Sequence, residues 1–220
     1  MLGSPLNALY VEPPFKELHL IDLDGKKVGI LNELTQNHRN VHLYEGDSNE
    51  ILLNEVFPQI KYEDYRRGLC LLDPYGLHLD WRVLEAAAGM RSIEIFLNFP
   101  IMDMNRNVLW RNTEGVDTRD IGRMTSFWGD DSWKVAAYSE PIQKSLFGDE
   151  RLQKESNFAI AEKFRERLES AAGFKFVPQP IPMRNSAGAT VYYLFFASNN
   201  QTGSKIAEHI LNKYRDRGMK

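Results

Sequence analysis

A chain of 220 residues has room for one domain with a full core, and 43% hydrophobic with 26% charged residues is the balance of an ordinary globular protein. A net charge of -3 excludes an overall basic grip on nucleic acid, and the one cysteine, Cys70, excludes an internal disulfide or a cysteine metal cluster. No apolar run approaches the ~18 residues of a membrane span and nothing resembles a signal peptide, so the expected placement is cytoplasmic, with no membrane partner.

Gly3-Ser4-Pro5 followed by Leu6, Ala8 and Leu9 reads as a helix start, with Ser4 as N-cap and Pro5 in the first turn. Pro13-Pro14 stop it. Leu18 to Leu23 is then a strand, and Asp24 caps a helix carrying Val28, Leu31 and Leu34 at helical spacing. Val41 to Tyr44 is the next strand. It ends in Glu45-Gly46-Asp47-Ser48, ahead of a helix through Ile51, Leu52 and Val56.

After a polar loop, Lys61 to Arg67, comes Gly68-Leu-Cys-Leu-Leu72, a continuous apolar run that predicts a strand buried on both faces of a parallel sheet. It stops at Asp73-Pro74-Tyr75-Gly76. An acid and an aromatic therefore stand at a strand's carboxyl end, where open α/β sheets bind ligands. Asp80 caps a helix through Trp81, Leu84 and Ala88 that Gly89 closes, and Ile93 to Phe99 is a further strand with Asn98 as its polar intrusion. Strands alternating with helices predict an α/β fold with a parallel sheet.

Past Pro100 the alternation ceases. Met102 to Lys134 carries five Lys/Arg against six acids and reads as the start of a cap of short helices and loops, extending to residue 149. Trp110, Phe127, Trp128 and Trp133 interleave with arginines there. That pattern either stacks single-stranded nucleic acid or forms the cap's own small core, and the second reading is preferred. An amphipathic helix is expected over Glu150 to Ala172, with Phe158, Ala161, Phe164 and Leu168 on one face. Phe174 to Met183 and Thr190 to Ala197 form a hairpin around Asn185 to Gly188, its first strand marked as an edge by the prolines at 178, 180 and 182. Thr202 to Arg217 is the last helix.

The segments GSPLNAL, HLIDLD, YEGDSNE, LCLLDPYGLHLDW, LNFPIMDMNRN and YYLFFASNNQTGSKIAE resemble the three-Cys-motif partner proteins, from about Gly3 to the C-terminus. That resemblance implies one Rossmann-like domain over residues 1–220 with a class I methyltransferase sheet, mostly parallel and ending in an antiparallel hairpin. The cap at 102–149 would follow the fifth motif strand. It also implies S-adenosylmethionine as cofactor and a three-cysteine-motif protein as partner, with nucleic acid as a candidate substrate. Family members usually begin with a strand and a glycine-rich turn ahead of the GSPL helix; here the helix comes first. The first strand is thus missing or replaced, which predicts a product destabilised relative to longer relatives and favours a non-catalytic scaffold as the competing function.

By the same resemblance, Asp22 stands where the family fold places an acid accepting from the ribose hydroxyls, the alternative being a solvated turn acid. Asp47 occupies the slot that accepts from the adenine amino group, with N-capping an equal alternative. Asp73-Pro74-Tyr75 resembles the D-P-P-Y motif of amino-methyltransferases, in which the acid accepts from the target amine and the aromatic ring stacks on the base. Tyr75 takes the third position here, and a strand-ending turn is the competing account. Asn98 lies at the next strand end, either contacting ligand or bonded to backbone, and Asn105 and Arg106 follow it. The five histidines show no metal-ligand spacing, so no metal site is expected. A nicotinamide-dependent oxidoreductase needs G-x-G-x-x-G in its first turn, and no such run occurs.

Overall fold

The computed structural model describes residues 3–139 and 153–215, an α/β structure in two units, Met1–Gln59 and Ile60–Lys220. In the first unit, helix α1 (Ser4–Leu9) carries its proline in the first turn, but Gly3 rather than Ser4 is the N-cap. Strands β1 (Leu18–Asp22) and β2 (Val41–Glu45) pair in parallel through the crossover helix α2 (Gly25–Thr35). Asp24 caps α2 as expected, its carboxylate accepting from the Lys26 backbone N–H at 3.0 Å. Helix α3 (Ser48–Ile51) runs on through a π-helical turn over Leu52–Val56. Among the described residues of this unit the buried hydrophobics are Ile51, Leu52, Val56 and Phe57, while Leu34 stays exposed.

The second unit is built on β3 (Gly68–Leu72) and β4 (Ile93–Phe99), parallel neighbours joined by helix α4 (Trp81–Met90). Asp80 caps α4 as expected. Gly89 lies inside that helix instead of closing it, and Arg91 takes the left-handed position at φ 59°. The cap contains α5 (Ile101–Asn107), α6 (Thr118–Trp128) and α7 (Trp133–Ala137), then β5 (Tyr138–Ser139), which pairs with β6 (Gln153–Lys154). Residues 140–149 of the expected cap lie outside the described residues, as do 150–152 of the helix expected from Glu150. That helix, α8, covers Asn157–Arg167 and continues as a π-helical turn over Leu168–Ala172. Ser156 supplies its cap. Strands β7 (Ile181–Arg184) and β8 (Thr190–Ala197) form the expected hairpin, with β7 at the sheet edge, and α9 (Gln201–Tyr214) follows.

Among the described residues the strands do not form the expected single, mostly parallel sheet. The strand order is β3-β4-β8-β7 in one sheet, where only β3 and β4 run parallel, and β1-β2 make a separate pair. Among the described residues β3 has a partner on one edge only, so the ladder ends there. Nor is β3 buried on both faces. Its register against β4 sets Gly68, Cys70 and Leu72 beside Ile93, Ile95 and Leu97, on the face that carries the core. Leu69 and Leu71 face the other way and remain 43% and 58% exposed. A continuous apolar run hides this difference, because side chains alternate faces regardless of their hydrophobicity.

Helices α4, α6 and α8 cover the core face. Phe99 packs within 5.8 Å of Phe127, 4.7 Å of Phe164 and 5.4 Å of Phe195, measured between ring centroids. Phe127, Trp128 and Trp133 are buried, but Phe127 and Trp128 pack against Phe164, and Phe127 also against Phe99, so they join the main core instead of forming a separate core of the cap, and Trp110 is exposed. On α8 the buried stripe is Ile160, Ala161 and Phe164, and Phe158 points outward. Across the sheet, α9 sets Ala207 and Leu211 against Ile181 and Phe196.

Candidate functional site

Parallel pairing ends with Leu72 opposite Leu97, so the next residue on each chain, Asp73 and Asn98, stands level at the carboxyl end of the sheet. Alternation points both toward the face of Leu71 and Phe96. The Asn98 Nδ2 donates to Asp73 Oδ1 at 2.8 Å, which holds the carboxylate in one orientation and answers where the amide of a strand-end asparagine finds its partner.

Asp73 and Asn98 line a shallow cleft of about 230 Å³ with Pro74, Pro100, Met102, Asp103, Arg106, Val191 and Tyr192. Pro100 and the start of α5 close one side. Asp103 accepts from Asn107 Nδ2 at 3.0 Å. Gly76, at φ 60°, lets the chain pass so near that a Cβ there would lie 2.7 Å from Asp103 Oδ2, so glycine serves both the left-handed turn and the close approach. Tyr75 is 90% exposed beside the cleft, its ring 6.3 Å from that of His78. Two carboxylates face one guanidinium, so the lining is negative overall, which suits a hydrogen-bond donor or cation better than a phosphate.

Asn105, although one residue from Arg106, serves elsewhere. It accepts from Lys154 Nζ at 2.6 Å and donates to Asn157 at 2.9 Å, tying α5 to the start of α8. Burial, with Arg111 nearby, lowers the Lys154 ammonium from its ordinary value. Tyr192 was not singled out in the sequence. It reaches the cleft because β8 runs antiparallel to β4, pairing Leu194 with Asn98, and the alternating pattern of its strand marks only which face it takes.

Asp22 and Asp47 belong to the first unit, at the carboxyl ends of its parallel strands. Both are engaged in local structure. Asp22 Oδ1 accepts from the Asp24 backbone N–H at 2.9 Å, and its other oxygen lies 3.5 Å from Lys27 Nζ. Asp47 is the N-cap of α3, accepting from Asn49 and Glu50 N–H groups through the same oxygen, Oδ1. Thus Asp73, Asn98 and the cleft around them come together in one unit, and the two expected cofactor acids in the other.

No family model, curated protein or solved structure matches this chain. None of the described helices is long and apolar enough to cross a membrane.

Proposed function

We propose that this chain is a methyltransferase-like protein of the three-Cys-motif partner type, with the cleft around Asp73 as its acceptor site. The observation that carries the reading is the Asn98-to-Asp73 hydrogen bond at 2.8 Å. It engages Oδ1 of a carboxylate that lines a negatively charged cleft, and in this reading Oδ2 accepts an amine N–H of the acceptor. Exposed Tyr75 supplies a ring on which a flipped or single-stranded base stacks. Asp22 and Asp47 hold the ribose and adenine of S-adenosylmethionine in this reading. Asp47 keeps Oδ2 for that purpose while Oδ1 caps α3.

Calorimetric titration with S-adenosylmethionine, followed by transfer of a labelled methyl group to single-stranded oligonucleotides, tests it. Binding that weakens in Asp47→Ala, together with transfer lost in Asp73→Ala, supports the assignment. Folded protein that gives no heat at millimolar ligand refutes it.

The exposed Leu69 and Leu71, on a strand that has no second neighbour among the described residues, favour a second reading, a non-catalytic scaffold for a three-cysteine-motif protein. Co-purification of such a protein, lost in Leu71→Glu, supports it. Leu71 is already solvent-exposed, so the substitution leaves the fold intact, and undiminished co-purification would remove the edge as the docking surface.

A further inference from the structure

Glu17 immediately precedes β1 and His19 lies on it, two residues apart and therefore on the same side of the extended chain. The parallel register then places His42 of β2 directly opposite His19. The two imidazoles stack with centroids 4.8 Å apart and planes 19° from parallel. One carboxylate oxygen of Glu17 and one ring nitrogen of each histidine all lie within 4.8 Å of one another.

His19 is oriented for coordination. Its Nδ1 is 3.0 Å from the hydroxyl of Tyr44, which sits two residues beyond His42 on the same face of β2. Coordination uses the tautomer in which Nδ1–H donates to that hydroxyl, which gives Nε2, 3.7 Å from Glu17 Oε2, to the ion. Metal-bound histidines characteristically have their second nitrogen held by such a partner, which sets both tautomer and ring angle.

We infer that Glu17, His19 and His42 form a binding site for a divalent transition metal ion, of which Zn²⁺ is the best match. Two imidazoles and one carboxylate are borderline donors. They suit zinc, cobalt, nickel or copper and discriminate against calcium and magnesium, which take oxygen ligands. Tetrahedral coordination at ~2.0–2.1 Å requires donor atoms about 3.4 Å apart. Partly buried His19 is the fixed member; Glu17 already lies 3.7 Å from its Nε2, and exposed His42 rotates out of the stack so that its in-plane lone pair meets the same ion. Three protein ligands leave a fourth position for water or an incoming donor.

The consequence for the first unit is a clip across its two strands. Its buried hydrophobic set among the described residues is short, Ile51, Leu52, Val56 and Phe57, and small units of this kind gain most from a metal staple. An ion bound by the folded form alone raises its stability with concentration.

The test is calorimetric titration of the whole untagged chain with Zn²⁺, alongside Co²⁺ absorption and thermal unfolding with and without Zn²⁺. One ion per chain is expected, with visible Co²⁺ bands and a rise in the unfolding temperature. His19→Gln and His42→Gln each weaken binding by ~100-fold, and Tyr44→Phe by ~10-fold through loss of the orienting bond. His209→Gln, on α9, leaves binding unchanged. Because His42 is exposed, its variant keeps the fold, and circular dichroism verifies this. Absence of Zn²⁺ heat, or binding equally tight in His42→Gln, overturns the assignment.

Discussion

Replacing Gly129 by alanine tests the packing beneath the cap with a magnitude that the structure supplies. Gly129 ends α6 at φ 97°, a left-handed conformation that costs an L-residue ~1–2 kcal/mol. A Cβ there would also fall 2.6 Å from Trp81 Cγ. The indole is held on several sides and cannot withdraw. Its Nε1 donates to Glu85 at 2.8 Å, Phe164 meets it edge-on at 5.9 Å, and the Arg167 guanidinium lies 4.8 Å from its ring centre. Overpacking of such a site adds ~1–3 kcal/mol, so Gly129→Ala is expected to cost about 3 kcal/mol in all. Gly173→Ala is the matched control. Its φ is 93°, yet nothing lies within 4 Å of the added Cβ, so only the ~1–2 kcal/mol backbone term applies. All four tryptophans fall in residues 81–133, so urea unfolding followed by tryptophan fluorescence reports on the second unit alone. At a slope of ~1–3 kcal/mol/M, the Gly129→Ala midpoint should fall clearly below that of Gly173→Ala. Equal midpoints for the two variants would refute the claim that Trp81 is immovable.

Three further outcomes are expected. Asp80→Ala should destabilise α4 by about 1 kcal/mol, because its carboxylate caps the helix, and Asp80→Asn should recover most of that. Hydrogen bonding from the Arg82 side chain lowers the Asp80 carboxyl from its ordinary 3.8; the folded state therefore takes up this proton later than the unfolded chain. Its stabilisation is full above the ordinary value and is lost as pH falls through the lowered one, so acid titration should show the wild-type advantage over Asp80→Ala vanishing there, and a constant gap would contradict the pairing. Burial pushes the Cys70 thiol up to about 12; iodoacetamide at pH 8 should label the native protein at least ~100-fold more slowly than the urea-unfolded chain, and comparable rates would show the thiol is accessible. Phe164→Ala removes the ring on which Trp81, Phe99, Phe127, Trp128 and Phe195 converge and should cost ~3–5 kcal/mol in chemical denaturation, with a loss under ~1 kcal/mol showing that the cluster is loosely packed.

Local physics made much of this chain legible from its residues. Asp24 and Asp80 read as caps because a short acid before an amphipathic run has one obvious use, and both act so here. The proline-marked strand before Thr190–Ala197 is an edge, since proline cannot donate to a ladder. Strand ends were equally visible at Asp22, Asp73 and Asn98, because a turn follows each apolar run. Which strands adjoin was beyond such reading. The apolar run of β3 predicted burial on both faces, yet Leu69 and Leu71 are exposed, for composition says nothing about whether a neighbour covers a given face.

Pairing register belongs to the same class of information, and it decided both sites. Asp73 and Asn98, 25 residues apart, bond because Leu72 pairs with Leu97. Histidines at 19 and 42 have no ligand spacing along the chain and meet only because β1 and β2 align Leu18 with Val41. Sequence by itself determined the elements, their caps and their breaks, all set by interactions within a few residues. The tertiary structure alone decided which side chains share a cleft or a strand face, because a shift of one residue in either ladder would turn one partner of each pair to the opposite face.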